Sequence, residues 1–244
     1  MSKPQASVAI IGAGDHIGAA IARRFAAGGY AVFAGRRKAE RLQSLVDEIA
    51  AAGGCCFGRA LDARKEEEVT AFLAEADAEA PVEVCIFNVG ANVHFPILET
   101  TERVFRKVWE MGCYSGFLAG REAARIMVPR GRGSIFFTGA TASLRGGAGF
   151  SAFASAKFGL RALAQSMARE LGPKNIHVAH LVIDAGVDTA FVRELRRQRN
   201  GQETFAPDEL MDPASIAETY WYLHAQPRDG WTHELDIRPY AERW

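Results

Sequence analysis

Short apolar runs rich in β-branched and aromatic residues alternate with longer stretches of helical period along all 244 residues of this chain. A strand that passes through a helix into a parallel strand crosses over right-handed, and repeated crossovers build a parallel sheet covered by helices on both faces. Strands are expected near 8–11, 31–34, 55–61, 84–87, 135–138 and 177–183, with a last one near 234–237. Helices are expected near 17–28, 38–52, 65–79, 101–111, 114–128, 152–171, 188–198 and 213–225. The expected fold class is therefore α/β, a doubly wound parallel sheet of about seven strands in a single domain over 1–244. The 48% hydrophobic content is enough for one substantial core. The least regular stretch, 196–213, is polar and broken by Gly201, Pro207 and Pro213. Loops beyond the strand carboxyl ends border the ligand crevice in such folds, so this segment reads either as a plain connection or as a substrate loop.

Charge and cysteine usage exclude several functions. Lys plus Arg and Asp plus Glu each count 29, which leaves no basic excess to hold nucleic acid or an anionic membrane. No apolar stretch reaches about 18 residues, and the N-terminal sequence lacks the pattern of a signal peptide. A cytoplasmic protein is expected. Cys55, Cys56, Cys85 and Cys113 show neither metal-ligand spacing nor a disulfide framework.

The first expected strand runs into Gly12, Ala13, Gly14, Asp15, His16, Ile17 and Gly18, ahead of an alanine-rich helix. Such a turn lets bare backbone approach a pyrophosphate, whose charge the helix N-terminus favours, so the sheet is expected to be Rossmann-like and to bind a dinucleotide. The second strand ends in Gly35, Arg36 and Arg37, where an acidic residue would accept from a ribose 2′-hydroxyl. A guanidinium instead suits a 2′-phosphate, which favours NADP(H) over NAD(H), with Arg36 the better candidate.

Further segments extend the pattern over nearly the whole chain, and together they resemble the short-chain dehydrogenase/reductase family. Gly12 and Gly18 match its Thr-Gly-x-x-x-Gly-x-Gly turn, with Ile11 and His16 in place of the Thr and the middle Gly. Asp62 is similar to the family's adenine-contacting Asp, and Asn88, Val89, Gly90 and Ala91 to its Asn-Asn-Ala-Gly turn. The run from Gly133 to Leu160 aligns on the family's strand, active-site loop and catalytic helix. Asp184 and Ala185 replace a Pro-Gly pair, and Val187 and Thr189 match the residues that close over the nicotinamide. The resemblance implies that Lys157 binds the nicotinamide ribose.

Three of the four catalytic places depart from that pattern. Phe153 stands where the family has its Tyr, Ala140 where it has its Ser and Cys113 where it has its Asn; only Lys157 is kept. Positions 153 and 157 share one helix face, so a phenol there would lie beside the ammonium, whereas a phenyl ring has no proton to give. General acid–base catalysis is worth about 10² to 10⁴ in rate, so the chain is expected to be a poor dehydrogenase of ordinary alcohols. Thr138, Thr141, Ser143, Ser151 and Ser155 could orient a carbonyl, and His94 is the better candidate acid because its ordinary pKa lies near neutrality. Cys113 and Tyr114 are further candidates, and Lys157 itself is a remoter one. Phe153, with Phe95, Phe150 and Phe191, would give an apolar cleft suited to a small apolar or aromatic carbonyl-like substrate.

The helices near 114–128 and 152–171 carry apolar faces, including Phe117, Leu118, Ile126, Met127, Leu160, Leu163, Met167 and Leu171. In the family these helices pair across a dimer axis, which implies a homodimer or homotetramer. The stretch 231–239 reads as the final sheet strand and its exit, with Trp244 near a neighbour or the cleft. Two functions stay open: an NADP(H)-dependent oxidoreductase with a non-standard active site, or a catalytically degenerate NADP(H)-binding protein acting as sensor or partner subunit.

Overall fold

The computed structural model describes residues 4–90, 92–201 and 203–242, except the side chains of 199 and 200. Seven strands form one sheet in the order β3-β2-β1-β4-β5-β6-β7, and every neighbouring pair is parallel. They are β1 (Ser7–Ile11), β2 (Ala31–Arg36), β3 (Cys55–Ala60), β4 (Val82–Phe87), β5 (Gly133–Thr138), β6 (Ile176–Ile183) and β7 (Glu234–Ile237). The interior strands β1 and β6 are buried at every position, as near-continuous apolar runs covered on both faces must be.

One face carries α1 (Ile17–Ala27), α2 (Gln43–Ala51) and α8 (Pro213–His224) over a core that includes Ile10, Phe25, Ile49, Phe136 and Tyr220. The other carries α3 (Glu66–Glu79), α5 (Ser115–Met127) and α6 (Ser151–Leu171) over Phe33, Leu73, Phe87, Leu118, Phe137 and Leu160. Burying each such side chain contributes roughly 1.5–3 kcal/mol, so the two layers fix the sheet between them. Leu118, Met127, Leu160 and Leu171 are part of this core and not of an outer face. The aromatic groups that α4 (Glu102–Trp109), α5 and α6 do expose are Phe105, Trp109, Phe117 and Phe158.

The expected break between two helices near 112–113 is absent. A π turn, Glu110–Tyr114, joins α4 to α5 without interruption. Its extra residue lets Gly112 approach α6 closely: a Cβ there would stand 2.9 Å from the Ala156 Cβ. The first turn of the expected 38–52 helix is a tighter one, Ala39–Leu42, ahead of α2.

The chain starts in the middle of the sheet, winds outward through β2 and β3, and crosses back to β4 on the other side of β1. That reversal opens a crevice at the carboxyl ends of β1 and β4. Ile11 lies opposite Gly35 on one side and Phe87 on the other, so Gly12, Arg36 and Asn88 emerge there together. Helix α7 (Ala190–Asn200) follows, with Thr189 capping it through a bond from the Val192 amide at 3.0 Å. The described residues of 196–213 are anchored at their base, where Val187 bridges Met211 and Arg196 pairs with Glu209 at 2.9 Å. Ala91 and Trp244 lie outside the described residues. Among the described residues no helix is long and apolar enough to cross a membrane.

Candidate active site

Gly12 has φ +97°, a conformation that favours glycine, and a Cβ there would come within 2.6 Å of the Asn88 carbonyl oxygen. The Asn88 amide in turn donates to the Gly12 carbonyl at 3.0 Å, which ties the β1 and β4 exits together. Beyond Gly14 and Gly90 the space is open. His16 precedes α1 without capping it, so the first amides of α1 carry no side-chain partner.

Two cavities meet across this turn, sharing Gly12, Gly14, Asn88, Val89 and Gly90. The larger, about 750 Å³, runs over the β2 and β3 exits and is walled by Arg36, Arg37, Lys38, Arg41, Asp62 and Arg64. The smaller, about 330 Å³, runs toward β5 and β6 and is walled by His16, Ile17, Gly18, Ala140, Phe153, Lys157, Val187 and Thr189. A single crevice thus brings together the residues expected to bind a dinucleotide. An open glycine turn, uncapped helix amides and a cationic wall fit the phosphates of such a molecule.

The cations are not equivalent. Arg36 is paired with Asp15 of the glycine turn, and this hydrogen bond is the main reason that Asp15 is held below the ordinary carboxylate range. Arg64 grips Asp62 through two bonds of 2.9 and 2.6 Å, which drops the Asp62 pKa to about 2. Arg37, Lys38 and Arg41 enter no ion pair among the described residues. Sequence reasoning placed Arg36 first and overlooked Asp15 and Arg64. The signal was available only through the parallel register that sets Gly12 beside Gly35.

At the other end, Lys157 is buried. Its Nζ donates to the carbonyl oxygens of Thr138 at 2.8 Å and Val89 at 3.2 Å. Loss of water around the ammonium lowers its pKa to about 8. The Phe153 ring centroid lies 6.0 Å from Nζ. Phe153 belongs to an apolar cluster with Val108, Cys113, Ala142 and Ala156, against which Met111, Ala140 and Phe150 pack. Cys113 sits in the π turn, and burial pushes its thiol pKa up.

The candidate hydroxyls are engaged or turned away. Thr138 bonds the Tyr220 hydroxyl at 2.7 Å, Ser143 accepts from the Ala140 amide at 3.1 Å, and Thr141 donates to Asp184 at 2.5 Å. The Ser151 hydroxyl is buried without a partner and Ser155 is exposed. His94 is exposed on the loop after β4, with its ring edge-on to Phe150 at 4.9 Å and over Gly149; it does not line the cavity around Lys157. Phe95 and Phe191 are exposed as well. Asp184, noticed in the sequence only as a replacement, is buried and also pairs with Arg145 at 3.2 Å and Arg238 at 3.5 Å. Burial raises its pKa, but Thr141 and the arginines outweigh that and keep it low.

Residues 6–200 match the family model described as short chain dehydrogenase. A crystal structure of a short-chain dehydrogenase from Rhodopseudomonas palustris is 63% identical and superposes with a TM-score of 0.84, over 97% of this chain and 99% of that one. The alcohol dehydrogenase of the archaeon Thermococcus sibiricus, solved with 5-hydroxy-NADP, is 28% identical with a TM-score of 0.83, over 98% of each chain. The 3-oxoacyl-(acyl-carrier-protein) reductase MabA of Mycobacterium tuberculosis is 29% identical over 90% of this chain and 85% of its own. With its parallel sheet, glycine turn and crevice, the chain belongs to the short-chain dehydrogenase family of oxidoreductases.

Proposed function

We propose that this protein is an NADP(H)-dependent oxidoreductase with a non-standard active site, acting on a small apolar or aromatic carbonyl-like substrate. The observation that carries the reading is one continuous crevice with uncommitted cations at one end and Lys157 beside Phe153 at the other. The glycine turn and the α1 amides would hold the pyrophosphate. Arg37, Lys38 and Arg41, with Arg36 held by Asp15, would hold the 2′-phosphate, and Lys157 the nicotinamide ribose. Val187 and Thr189 would flank the nicotinamide, which supplies a hydride when bound. Phe153 and Ala140 exclude water from the reacting carbonyl and select against polar substrates.

Binding constants for NADPH and NADH test the cofactor assignment. NADPH should bind more tightly, and Arg37→Ala together with Lys38→Ala should weaken NADPH by roughly 1.5–3 kcal/mol while sparing NADH. Equal affinities would remove the 2′-phosphate site. Loss of NADPH absorbance across a panel of aromatic and aliphatic carbonyls tests turnover. A second reading, a nucleotide-binding sensor or partner subunit without catalysis, is favoured by the apolar cluster that encloses Phe153. It predicts NADPH binding with no turnover of any member of that panel.

A further inference from the structure

The reading above leaves the proton of a carbonyl reduction without a donor, because position 153 has no phenol. We propose that Lys157 is the general acid of this site: its ammonium gives the proton to the substrate oxygen, in addition to contacting the ribose. The inference rests on the oxidoreductase reading and names the one residue that completes it.

The walls of the crevice point to this group. Among the residues lining the cavity beside Phe153, the ionisable side chains are Asp15, His16 and Lys157. Asp15 and His16 belong to the glycine turn, the phosphate end, and Asp15 is committed to Arg36. Lys157 shares a helix with Phe153 and a wall with Ala140, the two positions at which the acid and the polarising hydroxyl are missing. The hydroxyls of Thr138, Thr141 and Ser143 are engaged elsewhere, and His94 is outside the cavity wall.

The geometry of the ammonium supports the role. It carries three protons, and two are donated to the Thr138 and Val89 carbonyls. The third is left for the cavity. The two carbonyls hold Nζ in place in either protonation state, since a neutral amine still has two protons to donate. The ionisable groups on the surrounding elements are Cys113 in the π turn, His180 and Asp184 on or just after β6, Arg161 one turn along α6, and Asp15 and His16 across the cavity. Asp184 is taken up by Thr141, Arg145 and Arg238, and Arg161 by Glu234. Among the described residues no carboxylate is therefore committed to the ammonium, and burial leaves it poised at a pKa of about 8.

In the reduction, the carbonyl carbon gains a hydride from the reduced nicotinamide and the carbonyl oxygen gains the proton released by Lys157. The C=O π bond breaks, C–H and O–H bonds form, and a neutral amine remains, which takes up a proton from water. In the reverse direction the neutral amine is the base.

The test follows the amine directly in the full-length protein bound to NADP⁺. Lysine labelled with ¹³C at Cε is titrated by NMR, and the Lys157 signal is assigned by its loss in Lys157→Arg. The assignment expects titration near the value that burial sets, about 8. Titration above about 10, the range of an exposed lysine, would overturn it. Reduction of benzaldehyde or acetophenone should fall off on the alkaline side near the same value; a rate independent of pH through that region would also overturn it. Lys157→Arg keeps a positive charge and its donors but cannot release a proton at these pH values. At saturating NADPH it should reduce the probe at least about 100-fold more slowly than the parent. Unchanged reduction by this variant would exclude the role, and if the variant does not fold, the pH dependence of reduction by the parent protein decides. Failure of the oxidoreductase reading would look different: the parent protein would reduce no carbonyl of the panel, with or without NADPH bound, whatever the amine titration shows.

Discussion

At the scale of single residues, the chemistry turns on three neighbours, Ala140, Phe153 and Lys157. On the proposed reading, the phenyl ring and the methyl group fill the wall where the family's two hydrogen-bonding groups would stand, and so withhold both from the substrate. Restoring them is therefore informative. Phe153→Tyr combined with Ala140→Ser should create or raise carbonyl reduction, as followed by NADPH absorbance. The pair should exceed the combined effect of the single changes, because groups that act as a unit are not additive. A double variant no more active than Phe153→Tyr alone would show that position 140 does not reach the reacting oxygen. Lys157 lies in the register with position 153 that the sequence implies, since a spacing of four along a helix is a local property. Its two carbonyl partners were not legible, because Thr138 and Val89 lie 19 and 68 residues away.

At the scale of elements, the π turn between α4 and α5 is the feature with the most specific consequence. The sequence reading ends one helix near 111 and begins the next near 114. Helical hydrogen bonding instead continues through one wider turn. Such turns are rare and recur at functional sites, and this one carries Cys113. Gly112 makes room for it, with the Ala156 methyl facing the missing side chain. Gly112→Ala should destabilise the protein by about 1–3 kcal/mol through overpacking, measured by urea unfolding. Ala156→Gly should recover part of that loss in a double-mutant cycle; full additivity would disprove the contact.

At the scale of the whole molecule, two properties follow. Phe105, Trp109, Phe117 and Phe158 leave aromatic surface exposed on one side of the fold. We expect it to be covered in a homodimer or homotetramer, and sedimentation showing a monomer at micromolar concentration would refute this. The second property is acid sensitivity. His180 is buried and His224 half-buried, and their pKa values are lowered to about 4; that of the buried His177 is lowered as well, in each case mainly by burial. The unfolded chain takes up protons below its ordinary histidine pKa of about 6.5, where the folded chain does not. Their contribution to stability is thus complete above about 6.5 and is lost as pH falls from there toward 4, by up to about 1.4 kcal/mol per pH unit for each histidine. Thermal unfolding between pH 7 and pH 4.5 checks this, and His180→Gln should flatten the slope by roughly one histidine's share.

The sequence by itself determined the elements and their class. Apolar runs, helical periods and a glycine turn after the first strand are local patterns, and the final strand appears at the residues expected for it. The helix register that aligns Phe153 with Lys157 is of the same kind. What only the tertiary structure decided is which groups meet. The parallel register of β1 and β2 carries Asp15 to Arg36, 21 residues on, and so transfers the uncommitted charge to Arg37, Lys38 and Arg41. The loop after β4 turns His94 onto Gly149 and Phe150 and away from the cavity that its place in the chain suggests for it. Periodicity is written residue by residue, whereas pairing depends on strand register and packing between distant segments, and nothing in the local sequence encodes those distances.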